Sequence, residues 1–329
     1  MSSTPVITET EPRKRSLLGG ALGNYVGLIA ALLLMVVLFS SLSKYFFSVA
    51  TFVTIANDIP AILVTAVGMT FVLIIAGIDL SVGSVMALSG AAAGIAMVGW
   101  HWPLFPAMLI AMATGLVAGL LNGVISVGWR LPSFIVTLGM LEVARGSAYI
   151  ATDSRTQYIG SAIDWLSAPL FGGISPAFLI ALVIVVVAQL VLTRSVFGRY
   201  MIGIGTNEEA MRLAGVDPRP IKIAVFAIAG LLAGLAGVFQ TSRLEAADPN
   251  AGIGAELVVI ASVVIGGTSL MGGRGSVINT FFGVLVISVL EAGLAQIGAS
   301  EPTKRIITGC VIIVAVVLDM YRERRNRKS

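Results

Sequence analysis

The side chains best suited to chemistry lie in the middle of an apolar stretch, residues 61–98. There Asp79 stands between Gly77 and Gly83, with Ser81 two residues after it. A carboxylate at membrane depth is costly and usually has a function, because little water is present there to solvate its charge. We therefore take Gly77, Asp79, Ser81 and Gly83 as candidates for the wall or gate of a polar path through a membrane.

The length of this stretch requires a break in the helix. A membrane-spanning helix needs roughly 20 apolar residues, and residues 61–98 are too many for one ordinary span. Glycine loosens the helix, and Asp79 and Ser81 are able to accept hydrogen bonds from the N–H groups that open the next helix, such as that of Val82. The alternative is that Asp79 supplies a negative charge to the path. We favour the cap, because a helix N-terminus stabilises a carboxylate without a further partner.

A second polar interruption repeats the pattern of the first. The segment Gly266–Ser276 contains Thr268 and Ser269 among glycines, and Gly267-Thr268-Ser269-Leu270 resembles Gly77-Ile78-Asp79-Leu80. Paired broken helices in corresponding parts of a sequence are typical of a transporter pathway. The alternative is that these glycines mark tight turns. We add Thr268 and Ser269 to the candidate pathway or gate residues.

The composition indicates a membrane protein. The 329 residues are 57% hydrophobic and 12% charged, whereas soluble domains carry about 25% charged residues. The net charge of +4 does not indicate a nucleic-acid partner, because the basic residues lie in the two tails and one loop. With one histidine and one cysteine, in unrelated segments, the chain offers no metal cluster, disulfide framework or nucleophile–base pair. These counts argue against an intramembrane enzyme.

Apolar segments predict an all-α polytopic membrane protein with about ten transmembrane helices, broken near Gly77–Ser84 and Gly266–Ser276. The predicted spans are 25–39, 52–76, 81–98, 104–127, 133–150, 176–192, 223–239, 257–270, 277–297 and 306–320. With ten spans, the tail 1–23, the loop 194–222 and the basic tail 322–329 all lie on the cytoplasmic side, as the positive-inside rule requires. The transmembrane domain is then 24–321. The segment 257–270 is short, and one re-entrant span is the alternative.

The loop 194–222 contains a short helix with its own start and stop signals. Thr206-Asn207-Glu208-Glu209 is a capping box, in which the first and last residues bond each other's amides. The helix is predicted over 207–214, with Arg212 near its end and Gly215 as its stop. We predict a short, exposed, amphipathic helix on the cytoplasmic side.

Several runs resemble one family of membrane proteins. They are Ala66-Val67-Gly68-Met69-Thr70-Phe71-Val72 before the segment 77–84, Leu120-Leu121-Asn122-Gly123, Leu131-Pro132-Ser133-Phe134-Ile135-Val136-Thr137-Leu138-Gly139 and Gly230-Leu231-Leu232-Ala233-Gly234-Leu235-Ala236-Gly237. On these runs the chain resembles the permease subunit of bacterial ABC importers for monosaccharides, of the ribose/xylose/galactose type. The resemblance extends over residues 55–319 and adds Asn122 to the candidate pathway.

The resemblance implies a set of partners. A family permease works in the bacterial inner membrane as one of two such subunits, usually a homodimer. A periplasmic sugar-binding protein delivers the substrate, and an ABC ATPase subunit, into which a coupling helix of the permease docks, drives alternating access. The resemblance puts that helix at Thr206 to Gly215. Because the chain has no Gly-x-x-x-x-Gly-Lys-Ser/Thr sequence, we expect ATP on the partner and no cofactor, metal or enzymatic activity on this chain.

An ion-coupled secondary carrier is the alternative function. Such a carrier also has broken helices, but it needs an ionisable group for the coupling ion, and Asp79 is the clear candidate. The predicted cytoplasmic helix would then have no role.

Two departures from the family concern the substrate. Leu290-Glu291-Ala292-Gly293-Leu294 lacks the paired asparagine that is common before the glycine in ribose-type members, and Glu301-Pro302-Thr303-Lys304-Arg305 is unusually charged. These departures put ribose itself in doubt as the substrate. In this family the binding protein mostly sets which sugar is carried.

Overall fold

The computed structural model describes residues 17–327, which are helical apart from connections and one pair of two-residue strands. The helices are α1 (Leu17–Leu42), α2 (Val49–Asp58), α3 (Pro60–Ile74), α4 (Val82–Gly94), α5 (Leu104–Gly128), α6 (Ser133–Ala151), α7 (Pro176–Arg194), α8 (Val196–Thr206), α9 (Glu208–Leu213), α10 (Pro218–Leu244), α11 (Ala255–Ile265), α12 (Val277–Gln296) and α13 (Glu301–Arg327). The strands β1 (Gln157–Tyr158) and β2 (Ala246–Ala247) pair antiparallel. The all-α prediction is confirmed.

Fewer than ten of the described helices are long enough to cross a membrane. Within the described part of the chain, six helices are long and apolar enough to cross a bilayer: α4 with the π-helical turn that follows it, α5, α6, α7, α10 and α12. This count takes α1 only over Val26–Leu42, as a shorter apolar helix. The bent pair α2 and α3 makes a seventh if it counts as one span. α11 has 11 residues and is therefore about 16 Å long, whereas the hydrocarbon core of a bilayer is about 30 Å thick. The prediction of about ten spans is not confirmed, although each of the ten apolar segments contains a helix.

The predicted tails overlap with helices. α1 begins at Leu17, so residues 17–23 of the predicted N-terminal tail are helical, and residues 1–16 lie outside the described part of the chain. α13 continues to Arg327, and of the predicted tail 322–329 residues 328–329 lie outside the description. The cytoplasmic location of both tails stays a prediction.

Pro60 divides the predicted span 52–76 into two helices that are inclined by 50°. Proline fits the first turn of a helix because its missing N–H has no partner there, and α3 begins at this residue. Asn57 connects the bend to the loop before α7: its Nδ2 donates to the Gly173 carbonyl and its Oδ1 accepts from the Ser175 amide, both at 2.8 Å. The bend therefore also holds the start of α7.

Glycines bring α10 into backbone contact with its neighbours. A Cβ atom at Gly115 or Gly119 of α5 would overlap a carbonyl oxygen of α10, and one at Gly68 of α3 would lie 2.9 Å from the Ala229 Cα. The hydrophobic effect contributes little to the association of helices in lipid. Helices associate there through close van der Waals packing, which small residues permit. α10 also packs on α4, and it is the central helix of the described bundle.

Both predicted helix breaks are present. Residues 75–81 separate α3 from α4, and residues 266–276 separate α11 from α12. In the second break Gly267, Gly272 and Gly273 have φ between 75° and 85°, a region that glycine enters without steric cost. The glycines that mark this break in the sequence thus turn the chain.

Candidate functional site

Asp79 is buried in the first break, with 1% of its surface exposed. Its Oδ1 accepts from the Ser81 amide at 2.9 Å and from the Ser81 hydroxyl at 2.6 Å. Asp79 thus accepts from the first amide of the predicted third span, whereas the predicted cap by Ser81 is wrong, because the Ser81 side chain accepts no hydrogen bond from α4. Ser81 has a helical backbone (φ −83°, ψ −11°) instead of the extended one of a capping residue. Its hydroxyl is therefore free to bond Asp79.

Asn122 joins this pair from the neighbouring helix α5. Its Nδ2 donates to the Ser81 hydroxyl oxygen at 2.9 Å. The residue is 1% exposed, and its Oδ1 is a buried atom without a hydrogen-bond partner. The structure thus brings together three of the candidate residues in a network that runs Asp79–Ser81–Asn122. A Cβ atom at Gly77, within the break, would lie 3.3 Å from the Phe226 ring of α10.

Two hydroxyls of α6 were missed by the sequence reasoning. Ser133 accepts from the Ile78 amide at 2.9 Å, and Thr137 accepts from the Leu80 amide at 3.1 Å. Buried amides need partners because an unpaired one is costly away from water, and these bonds satisfy the non-helical backbone of the break. The available signal was the spacing of four residues between two hydroxyls, which puts both on one face of a helix.

Gly83, in the first turn of α4, contacts the segment 245–254 that joins α10 to α11. A Cβ atom at Gly83 would lie 2.6 Å from the Glu256 Oε2 and would overlap the Gly252 carbonyl oxygen. Arg145 of α6 holds the same segment: its guanidinium donates to the Pro249 carbonyl and, at 2.9 Å, to the Ala251 carbonyl. Only glycine allows this close approach to the start of α4.

The second break is bonded partly within itself and partly to α3, α7 and α11. Thr268 is fully buried and its Oγ1 is without a hydrogen-bond partner. Ser269 accepts from the Met271 amide at 3.2 Å, and its own amide donates to the Arg274 carbonyl at 3.1 Å. The second break contacts the end of α3, directly before the first break, because the Gly273 amide donates to the Ile74 carbonyl at 2.9 Å.

The short helix in the loop 194–222 is present, but the predicted capping box is wrong. Thr206 is the last residue of α8, and its hydroxyl donates back to the Ile202 carbonyl at 2.7 Å. The cap is Asn207, which has an extended backbone and accepts from the Ala210 amide at 2.9 Å. The helix is α9, Glu208–Leu213, one residue shorter at each end than predicted. Gly215, at φ +83°, follows its end as predicted.

Glu208 fastens α9 to α10. Its carboxylate pairs with Arg212 at 2.9 Å and with Lys222 of α10 at 3.0 Å. Burial raises the pKa of Glu208, but the hydrogen bonds and charges of Lys222 and Arg212 outweigh it and hold that pKa below its usual value. Exposed Glu209 takes no part in these two pairs.

A cavity of about 320 Å³ lies between α9 and the first break. Its charged lining residues are Arg130, Glu208, Arg212, Arg219 and Lys222, and the break contributes Ala76 and Gly77. The candidate coupling helix and the first break thus border one cavity in which basic side chains predominate.

Comparisons with known proteins identify the family. The family described as "Branched-chain amino acid transport system / permease component" matches residues 51–316. The ribose import permease protein of Haemophilus influenzae is 38% identical over 88% of this chain and 91% of its own length. An L-arabinose ABC transporter permease protein of Azospirillum brasilense is 36% identical over 80% and 77%, and the D-allose transport system permease protein of Escherichia coli is 34% identical over 89% and 90%. The chain therefore belongs to this permease family and, within it, to the permeases of monosaccharide ABC importers.

Proposed function

We propose that the chain is the membrane-spanning subunit of an importer that passes a monosaccharide or polyol across the inner membrane, with energy from ATP hydrolysed on a partner chain. The observation that carries the proposal is α9, a six-residue helix that Glu208 ties to α10 beside the first break. An external protein that moves α9 would act directly on the helix that packs against α3, α4 and α5.

The proposed partners are those that the permease family implies. An ABC ATPase subunit docks on α9, a periplasmic binding protein delivers the sugar, and a second copy of the chain completes the path. Arg130, Arg212, Arg219 and Lys222 border one cavity, and basic residues near spans favour the cytoplasmic side. The loop 194–222 then faces the cytoplasm. A cytoplasmic location of both termini is a separate proposal, which rests on the ten predicted spans.

The candidate path contains Gly77, Asp79, Ser81, Gly83 and Asn122 from the first break and α5. The unpartnered Asn122 Oδ1 and Thr268 Oγ1 support a role for Asn122 and Thr268 near a polar substrate, because buried polar atoms normally find partners. Ser269 is included in the proposal as the neighbour of Thr268. The relatives are named for ribose, L-arabinose and D-allose, and these sugars are the first substrates to test.

Uptake by reconstituted vesicles tests the proposal. The chain is co-purified with its partner ATPase and binding protein, and entry of each labelled sugar is followed with ATP, without ATP, and with an ATPase variant that does not hydrolyse. We expect uptake of at least one sugar, and only when both ATP and the active ATPase are present. Uptake driven by an ion gradient without ATP would instead identify an ion-coupled carrier and overturn the proposal.

A further inference from the structure

Three backbone segments meet at one point beside α9. They are the end of α3, the second break and the last turn of α8. The Gly273 amide of the second break donates to the Ile74 carbonyl of α3 at 2.9 Å. Gly205 of α8 lies against this bond: a Cβ atom there would overlap the Ile74 oxygen and would lie 2.5 Å from the Gly273 nitrogen. We name this contact the Gly205 junction.

The junction has other close contacts. A Cβ atom at Gly272 would lie 2.9 Å from the Ala76 nitrogen and 3.0 Å from the Gly205 carbonyl oxygen, and one at Gly273 would lie 2.6 Å from the Thr206 Oγ1. Real Cβ atoms essentially never approach other heavy atoms within 3.0 Å. The three segments therefore touch through their backbones, which yield much less than side chains do.

Gly205 lies two residues before Asn207, the cap of α9. A movement of α9 relative to the bundle therefore reaches the junction through two residues of chain. From there it acts on the residues that follow α3 and on those that precede α12. Glu208 supplies a separate connection, from α9 to Lys222 of α10.

We propose that Gly205 is a positioning residue for transport, which holds α8 against the Ile74–Gly273 hydrogen bond so that displacement of α9 moves both broken segments together. The proposal rests on the proposed docking of an ATPase on α9. It adds that the two breaks receive one signal at this backbone contact, besides the separate connection of Glu208 with Lys222 of α10. The absence of a side chain at residue 205 is the feature that permits this contact.

Gly205→Ala tests the proposal against Gly203→Ala on the same helix. At Gly203 the nearest atom to a new Cβ is the Met211 Sδ, at 2.6 Å, and a methionine side chain is flexible enough to move aside. At Gly205 the obstacle is backbone. Both substitutions raise helix propensity alike. In the reconstituted complex with its ATPase and binding protein, we expect Gly205→Ala to retain basal ATP hydrolysis and to lose about tenfold or more of the stimulated hydrolysis and uptake. Gly203→Ala is expected to stay within about twofold of the parent.

The two variants separate the possible causes. Normal stimulation and uptake in Gly205→Ala would overturn the proposal. An equal loss in both variants would also overturn it, because crowding between α8 and α9 would then be the cause. If the parent complex shows no ATP-driven uptake, the proposed function fails, and that outcome is seen before any variant is measured.

Hydrogen exchange on the unmodified complex keeps the test valid if Gly205→Ala does not fold. Amide exchange is followed by mass spectrometry with and without a non-hydrolysable nucleotide on the ATPase. We expect exchange to change together in the peptides that contain residues 72–78 and 270–276. A peptide from the loop 157–167 is the control, because this loop precedes α7, whereas α8 and α9 follow the other end of that helix. A change in one break without the other, or in neither, would overturn the proposal.

Discussion

At the residue scale, Asp79 is held by its own break. Its Oδ1 receives two hydrogen bonds from Ser81, and Ser81 in turn receives one from Asn122. Asparagine presents an oxygen of the same kind at the same place, whereas leucine presents none. Asparagine and leucine at residue 79 therefore show whether Asp79 is needed as a hydrogen-bond acceptor or for its negative charge.

We expect Asp79→Asn to retain most transport and Asp79→Leu to lose it. In the leucine variant the Ser81 amide and hydroxyl stay buried without this acceptor, at a cost of about 1–3 kcal/mol for each unsatisfied group. The loss should appear as a lower thermal midpoint of the detergent-solubilised complex, measured beside its uptake. A fully folded but inactive Asp79→Asn would assign the negative charge itself to transport.

The hydrogen bonds of Asp79 show which features a local sequence pattern does not predict. The residues that flank the break were predictable, because glycine and a carboxylate interrupt an apolar run. The partner of Asp79 was not, since Ser81 takes a helical backbone that no local pattern dictates. Thr206 and Asn207 present the same problem: both residue types cap helices well, and the backbone conformation decides that Asn207 is the cap.

At the element scale, α9 depends on Glu208 for its connection to α10. We expect Glu208→Gln to lower substrate-stimulated ATP hydrolysis several-fold and Glu208→Arg to abolish it. The thermal midpoint should change little, because exposed ion pairs contribute about 0–1 kcal/mol. Glu209→Gln is the matched control, since Glu209 is exposed and lies outside the pairs of Glu208. Equal stimulation in Glu208→Gln and the parent would remove these ion pairs from coupling.

The lowered pKa of Glu208 determines how its ion pairs with Lys222 and Arg212 respond to pH. The pKa of Glu208 is lowered in the folded protein, so the ion pairs contribute fully above the unfolded value of about 4.5 and are lost as the pH falls through the lower folded value. We expect coupling through Glu208 to be constant between about pH 6 and 8. A loss of stimulation in this range that disappears in Glu208→Gln would contradict the assignment.

The contact between α5 and α10 depends on glycine. We expect Gly119→Ala to destabilise the protein by about 1–3 kcal/mol, because its methyl group would overlap the Phe226 carbonyl and force the helices apart. Gly128→Ala, on the same helix with nothing within 4 Å of its new Cβ, is the control and should not destabilise. Thermal midpoints in detergent provide the comparison, and similar values for the two variants would show that the helices pack less tightly here.

At the scale of the whole molecule, the positions of the helices were largely predictable and their packing was not. Each apolar segment contains a helix, because runs of apolar residues in lipid have few other ways to satisfy their backbone. The contacts that build the site join distant positions, such as Gly83 with Gly252 and Ile74 with Gly273. A single sequence carries no signal for such pairs. The division of the second span at Pro60 was readable in part, since proline marks the start of α3.

The orientation of the whole molecule gives the last prediction. α7 has 19 residues, about 28 Å at 1.5 Å per residue, which is close to the thickness of a bilayer core. It separates Trp165, which is 61% exposed, from Leu213 in α9, which is 83% exposed. These two positions are therefore expected on opposite faces of the membrane, with Leu213 on the basic, cytoplasmic one.

Cysteine labelling measures this orientation. Trp165→Cys and Leu213→Cys are each made in a Cys310→Ser background, because Cys310 is an exposed free thiol. In intact cells made permeable at the outer membrane, a membrane-impermeant maleimide should modify Trp165→Cys, and it should modify Leu213→Cys only after the inner membrane is opened. Modification of Leu213→Cys in intact cells would put α9 on the periplasmic face, where no ATPase subunit docks, and the coupling role of Glu208 and Gly205 would then fail with it.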